Sequence, residues 1–154
     1  MVEESGYVAV RTQVRWGDCD PAGIAFYPRF FEWMDMGSHA LERELGLTRE
    51  DVLPPRALNF PLVAARAEFL APARMEDIIE IRVWVTRIGR TSLSIRHEIV
   101  RLGEDETVLA RGSEDRVHIE RDETGAMCPR ELTPEMRAVL DRFADPGARR
   151  AAHS

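Results

Sequence analysis

The sequence predicts a single α+β domain in which antiparallel strands gather around one long apolar helix. Three observations predict it. Residues 28–45 carry apolar side chains at helical spacing over a wide face. Runs at 7–16, 61–70, 78–88, 91–102 and 107–120 instead alternate apolar and polar residues, the period of half-buried strands. Four of those runs follow the helix in meander-like succession, which favours an antiparallel sheet over a βαβ array.

The first strand run puts Val8, Val10, Thr12, Val14 and Trp16 on one face, with Arg11, Gln13 and Arg15 on the other. In the helix, Phe31, Met34, Ser38, Leu41 and Leu45 form one stripe, with Phe30, Trp33, Gly37 and Ala40 beside it. So wide a face calls for a helix more than half buried, and one curved sheet wrapped around it meets that need. Gly37 costs an exposed helix about 1 kcal/mol relative to Ala; in a wrapped core it permits close approach of a strand. Gly46 is placed to terminate the helix. Residues 48–60, with Pro54 and Pro55, read as a connection with one helical turn at its start. Ala71-Pro72-Ala73 ends the strand that follows. In 78–88, Ile79, Ile81, Val83 and Val85 face one way. Trp84 stands among Glu80, Arg82 and Thr86 on the other, so that side is expected to be partly covered. Thr133 reads as an N-cap with Pro134 at the first helical position, opening a short C-terminal helix over 133–143. Residues 145–154 read as a frayed tail.

Length and charge narrow the functional classes. The 154 residues suit one domain, 1–154, with its core at about 7–120. A net charge of −6 argues against a nucleic-acid partner, since that binding is led by phosphate contacts. It still leaves room for a local basic patch facing a phosphorylated small molecule. No apolar run approaches the roughly 20 residues of a membrane helix, so no membrane partner is expected. Residues 1–5 are acidic and lack an apolar stretch, which argues against a secretory leader. Cys19 and Cys128 have no metal-ligand spacing and suit free thiols in a cytoplasmic protein. Neither a metal nor a cofactor is expected.

The chemistry concentrates in Trp16-Gly17-Asp18-Cys19-Asp20-Pro21-Ala22-Gly23-Ile24-Ala25-Phe26-Tyr27-Pro28. Pro21 and Gly23 make this a tight loop between strand and helix, and Pro28 suits the first helical turn. Asp18 and Asp20 then lie near a helix N-terminus, where unpaired backbone N–H groups point outward. A carboxylate beside aimed donors is a candidate catalytic pair. The competing reading is that Asp18 or Asp20 caps the helix or closes an Asx-turn. Cys19 reads as packing, with no base partner in the loop. A Ser-His-Asp set is not evident, because Ser113 stands in no Gly-x-Ser-x-Gly elbow. His97 falls on the apolar side of its strand and reads as a core residue.

Gly17 to Ile24, followed by Phe26-Tyr27-Pro28, closely resembles the signature of the 4-hydroxybenzoyl-CoA thioesterase family. Phe60-Pro61-Leu62-Val63 through Phe69, then Ala71-Pro72 and Glu76-Asp77, is similar to that family's second-strand pattern. Gly89-Arg90-Thr91-Ser92 resembles its turn between middle strands. The likeness covers about Arg11 to Glu120, and the first motif is the specific one.

The resemblance implies a hotdog fold: a curved antiparallel five-stranded sheet wrapped around one long central helix, here with a short C-terminal helix. It implies hydrolysis of an aromatic acyl-CoA such as 4-hydroxybenzoyl-CoA, with coenzyme A part of the substrate. It also implies a homodimer or a dimer of dimers with sites at the subunit interface. Position by position, Asp20 matches the family's catalytic aspartate. Tyr27 matches the residue whose backbone N–H polarises the thioester carbonyl. Asp35 matches a helix carboxylate near the far end of the acyl group; its alternative is a solvated helix position. Arg87 and Arg90 flank Gly89 in a turn suited to the phosphates of coenzyme A, or are solvated turn arginines. Pro28 stands where many members have histidine, which favours the aromatic branch. The competing functions are hydrolysis of aliphatic or carrier-protein-bound acyl groups, and acyl-CoA binding without catalysis.

Overall fold

The computed structural model of the chain describes residues 6–47, 49–53 and 59–148. The Pro54-Pro55 connection, the acidic start at 1–5 and the tail from 149 lie outside the described residues. In chain order the elements are β1 (Val8–Gln13), α1 (Pro28–Glu44), α2 (Arg49–Val52), β2 (Leu62–Phe69), β3 (Ile78–Ile88), β4 (Ser92–Arg101), β5 (Thr107–Val117), β6 (Ile119–Arg121), β7 (Met127–Pro129) and α3 (Pro134–Arg142). The first five strands form one antiparallel sheet in the order β1-β3-β4-β5-β2, and β6 and β7 make a separate hairpin.

β3, β4 and β5 are the expected meander, but β2 does not join it beside β3. The outer edge of β3 is already taken by β1, from Val8 opposite Val83 to Gln13 opposite Ile78. β2 therefore pairs with the free edge of β5, from Leu62 opposite Arg116 to Phe69 opposite Ala110. It is left as an edge strand with Leu62, Val63 and Phe69 exposed.

α1 lies against the apolar face of the sheet and buries Phe30, Trp33, Met34, Gly37, Ser38, Ala40 and Leu41. The buried partners from the sheet are Ile79, Ile81, Val83, Val85, Leu93, Ile95 and Ile99. Gly46 has φ +76° just past the helix, the left-handed conformation that ends it. On the opposite face of the sheet the Arg96 guanidinium stacks 3.9 Å over the Trp84 ring, and Tyr7 packs 4.9 Å from it. These partners supply the cover expected for Trp84.

Two boundaries differ from the alternating pattern. Trp16 is not on the buried face of β1 but on a 3₁₀ turn, 82% exposed. The Asp18 carboxylate captures the Arg15 N–H at 2.7 Å and the Asp18 N–H donates to the Arg15 carbonyl, so the strand ends at Gln13, three residues early. β5 stops at Val117 rather than Glu120, because the His118 N–H donates to the Thr91 carbonyl and carries the chain into β6.

At the other end, Thr133 caps α3 by accepting the Met136 N–H at 3.1 Å, with Pro134 at the first position as expected. The expected fraying does not begin at Asp145. Its N–H donates to the Val85 carbonyl at 2.7 Å and its carboxylate takes two bonds from Arg96.

A Cβ on Gly37 would sit 2.8 Å from methyl carbons of both Ile81 and Val83. Those side chains are β-branched and stiff, so they cannot swing aside. Overpacking typically costs about 1–3 kcal/mol and outweighs the roughly 1 kcal/mol that alanine gives a helix interior. Gly37→Ala is therefore expected to lower the urea midpoint of unfolding; a raised midpoint would mean the helix sits less tightly on the sheet.

Candidate active site

The loop between β1 and α1 is held from both sides. The Phe26 N–H donates to the Asp18 carbonyl at 2.8 Å, and the Asp20 N–H to the Ile24 carbonyl at 3.0 Å. Gly23 takes φ +79°, which closes the bend between them. The Ala25 N–H donates to the Ala73 carbonyl at 2.8 Å, which ties the loop to the segment entering β3.

Asp18 and Asp20 have different partners. One oxygen of Asp18 holds the Arg15 N–H, and the other lies 3.6 Å from Arg29. Asp20 is half-buried, and its Oδ1 accepts the Ala22 N–H at 2.8 Å, an Asx-turn. Among the described residues nothing donates to its Oδ2. Cys19 packs beside the core, with its thiol 3.7 Å from the Arg15 carbonyl.

Tyr27 is the N-cap of α1, with Pro28 at the next position. Proline has no N–H to offer. The Arg29 N–H already donates to the Phe26 carbonyl and the Phe30 N–H to the Tyr27 carbonyl. No backbone acceptor among the described residues takes the Tyr27 N–H. It is the unspent donor at the positive end of the helix dipole.

Two clefts open at this loop. Asp20 lines one of about 580 Å³ together with Trp16, Cys19, Pro21 and Met75. Tyr27 lines another of about 390 Å³ together with Phe30, Phe69 and Pro72. The Phe69 ring meets Tyr27, Phe30 and Phe31 edge-on at 6.2, 5.2 and 6.5 Å. The second cleft is thus aromatic on the side of Tyr27, Phe30 and Phe69 and aliphatic along Ile24, Leu70 and Ala71.

Asp20 and Tyr27 stand in the same loop but line different clefts, and the other expected residues lie elsewhere. Asp35 lies two helical turns further along α1, half-exposed, and accepts a bond from Arg116 at 2.9 Å. Arg87 donates to the hydroxyls of Ser92 and Ser94. Arg90 is ion-paired with Glu131 at 2.8 Å, and both are largely exposed. Among the described residues no three His, Cys, Asp or Glu side chains converge as a metal site. No helix among them is long and apolar enough to cross a membrane.

The sequence reading missed a buried cluster between α1 and the sheet. Glu114 Oε2 accepts from the Ser38 hydroxyl at 2.5 Å and from Arg116 Nε at 2.9 Å, with His97 Nε2 at 3.4 Å. Serine, histidine and glutamate do meet here, but not as a nucleophilic triad. Both neighbours of His97 crowd its Nε2, its Nδ1 has no partner, and all three side chains are buried. Burial pushes the Glu114 carboxyl up, but His97, Arg116 and Ser38 outweigh it and bring it down to about 2. Glu42, at the edge of the cluster, is pushed up by burial, and His39 and Arg116 offset this only in part. Glu114 and Arg116 share the strand parity of Ala110, whose side chain is buried, but Leu109 of the other parity is buried too, so the sequence alone does not mark the inward face.

A family model for the thioesterase superfamily matches residues 22–108. The chain belongs to the thioesterase superfamily. It is 29% identical over 119 residues to a 4-hydroxybenzoyl-CoA thioesterase from Pseudomonas sp. (strain CBS-3), covering 75% of this chain and 84% of that protein. It is 26% identical to a 1,4-dihydroxy-2-naphthoyl-CoA hydrolase from Synechococcus sp. (strain WH7803), over 65% of this chain and 70% of the other. A 4-hydroxybenzoyl-CoA thioesterase variant crystallised with 4-hydroxybenzoyl-CoA superposes with a TM-score of 0.78 at 25% identity, over 88% of this chain and 99% of that one. A gentisyl-coenzyme A thioesterase superposes with a TM-score of 0.72 at 30% identity, over 86% and 98%. The fold is the hotdog fold of this superfamily, and the protein is a thioester hydrolase.

Glu114 ionises below the ordinary carboxylate value of 4.5, so the unfolded chain binds its proton first as pH falls. The stability it contributes is complete above that value and is lost as pH drops through about 2. The gap in unfolding free energy between wild type and Glu114→Gln should therefore narrow by up to about 3 kcal/mol between about pH 5 and about pH 2. Urea titrations across that range test it, and a gap that does not change with pH would contradict it.

Proposed function

We propose that this protein hydrolyses the thioester of an aromatic acyl-CoA bearing a ring hydroxyl, releasing the acid and coenzyme A. The observation that carries the reading is the unspent Tyr27 N–H at the start of α1, in the same tethered loop as Asp20. Thioester hydrolysis puts negative charge on the carbonyl oxygen in the transition state. A fixed backbone donor at a helix N-terminus stabilises that charge without reorganising. Asp20 acts on the carbonyl carbon, either as general base on water or as nucleophile giving a mixed anhydride that water then opens. Its Asx-turn leaves Oδ2 available for either role.

Two features support a hydroxyaryl acyl group. The relatives named above act on 4-hydroxybenzoyl, dihydroxynaphthoyl or gentisyl thioesters, all hydroxylated rings. The cleft beside Tyr27 is apolar, with Phe30 and Phe69 on one side of an otherwise aliphatic lining. Asp35 stands about 12 Å further along the helix axis than Tyr27. Helical side chains lean toward the N-terminus, which shortens that gap toward the span of a substituted ring, with Asp35 accepting from the ring hydroxyl. Arg87 and Arg90 are read as phosphate contacts for coenzyme A, Arg90 exchanging its exposed Glu131 partner for phosphate.

A panel of benzoyl, 4-hydroxybenzoyl, phenylacetyl and medium-chain CoA esters, with free thiol monitored, tests the substrate class. Fastest release from a medium-chain ester would remove the aromatic reading, and binding without release would remove catalysis. On the best ester, Asp20→Asn should lower kcat by about 10²–10⁴ with little change in KM. Asp18→Asn should cost about 1 kcal/mol of stability with a smaller rate effect, as for a lost cap. More than a tenth of wild-type kcat in Asp20→Asn would put the catalytic carboxylate elsewhere.

The same reading makes the protein a homodimer or a dimer of dimers in the cytoplasm. β2 is an open sheet edge lined with exposed Leu62, Val63 and Phe69, a surface that is ordinarily paired or covered. Sedimentation at micromolar concentration should give a dimer or larger, and a stable active monomer would refute it.

A further inference from the structure

The buried charges beneath the second half of α1 have no part in the hydrolysis described above, yet they end at Asp35. Arg116 is 7% exposed and is fixed in three directions. Its Nε donates to Glu114 Oε2, its Nη1 to the Phe60 carbonyl and its Nη2 to Asp35 Oδ1, each at 2.9 Å. A planar guanidinium held on three sides has no rotamer freedom left to lose. Glu114 is itself held by the Ser38 hydroxyl, so the chain of bonds runs from the core outward.

Asp35 is different, because its side chain is 48% exposed on a helix surface. A carboxylate in that position ordinarily samples several rotamers. Here Oδ1 is pinned from below by Arg116, and Oδ2 is left with His39 Nε2 at 3.6 Å. The buried base thus determines where the exposed acid points.

We propose that Arg116 is a positioning residue for substrate discrimination: by holding Oδ1 of Asp35 it aims Oδ2 at the far end of the acyl group, so that preference for a ring hydroxyl depends on Arg116. This rests on the reading that Asp35 meets that hydroxyl. Arg116 does not touch the substrate and acts only through Asp35. Lysine keeps the charge but cannot reach three acceptors in three directions, so it should not substitute.

The test is the ratio of kcat/KM for 4-hydroxybenzoyl-CoA to that for benzoyl-CoA. The ratio is independent of the folded fraction, because both esters meet the same preparation. Wild type, Asp35→Asn, Arg116→Lys and the charge-balanced pair Glu114→Gln with Arg116→Gln are compared, with thermal melts alongside. The paired variant removes one buried charge of each sign, so the net charge of the cluster is kept, and the thermal melts report the cost to Glu42 of losing Arg116 at 4.0 Å. Asp35→Asn and Arg116→Lys should each lower the ratio about tenfold, the scale of one hydrogen bond to a charged group. Combining them should lower it no further than Asp35→Asn alone, because one interaction is lost in both cases. The paired variant should lower it likewise. If Arg116→Lys and the paired variant keep the wild-type ratio while Asp35→Asn loses it, the positioning role is refuted and the Asp35 reading stands. If Asp35→Asn keeps the ratio, or wild type shows no preference, the Asp35 reading falls and the positioning role falls with it.

Discussion

The distance between α1 and the sheet is set by residues that have no side chain to interpose. At Gly37 the helix backbone meets the methyls of Ile81 and Val83 and the ring of His97 directly. At Gly112, on β5, the Met34 side chain fills the space a Cβ would need. Those two contacts seat the helix between the central strands and β5. The position of its first residue follows from that seating, and so does the direction of its dipole. The loop before it is then fixed from outside by the Ala25 bond to Ala73. Tyr27 is held in space by a packing fit several turns away as well as by its neighbours.

The second half of α1 buries polar groups as well as the apolar Gly37, Ala40 and Leu41. Near the start of the helix Phe30, Trp33 and Met34 meet apolar and aromatic partners, with the Phe30 and Trp33 rings 5.0 Å apart. Further along, Ser38 and the edge residues Asp35 and Glu42 face Glu114 and Arg116. Burying an acid and a base gains little net stability over apolar residues of the same shape, because both must leave water. The polar half therefore asks for an explanation other than stability. It reaches the surface at Asp35, on the helix face that also carries Tyr27 and Phe31, and more narrowly at Glu42.

Much of this was legible in the sequence where period and burial coincide. The apolar stripe of α1, the alternation in β3 and β4, the Thr133 cap and the Gly46 stop are local signals with local causes. Trp16 was misplaced because alternation cannot register that Asp18 captures the Arg15 N–H. β2 was placed in a meander because nothing in its own residues records that β1 has taken the edge of β3. Asp145 was read as loose because its partners, Arg96 and Val85, are far away in the chain. The buried cluster was missed for a related reason. Glu114 and Arg116 look like the solvated side of a strand until β5 is seen to turn them toward α1. Among the candidate residues, Asp20 and Tyr27 share a loop that is continuous in sequence, whereas Arg116 reaches Asp35 only across the fold.

Capping and catalysis are rival readings of the acidic loop from its sequence, and its hydrogen bonds make them compatible. Asp18 spends one oxygen on the Arg15 N–H and keeps the other near Arg29, so it is committed to holding the loop. Asp20 spends only Oδ1, on the Ala22 N–H two residues on. That bond fixes the carboxylate relative to the backbone it belongs to, and that backbone is itself bonded to Ile24 and Gly23. A carboxylate with no such bond would have to be ordered during the reaction, at an entropic cost. In the proposed mechanism the Asx-turn is therefore what makes Oδ2 usable. One oxygen is given to structure so that the other has a direction; the role proposed for Arg116 divides the Asp35 carboxylate likewise, with Oδ1 held by Arg116 and Oδ2 3.6 Å from His39.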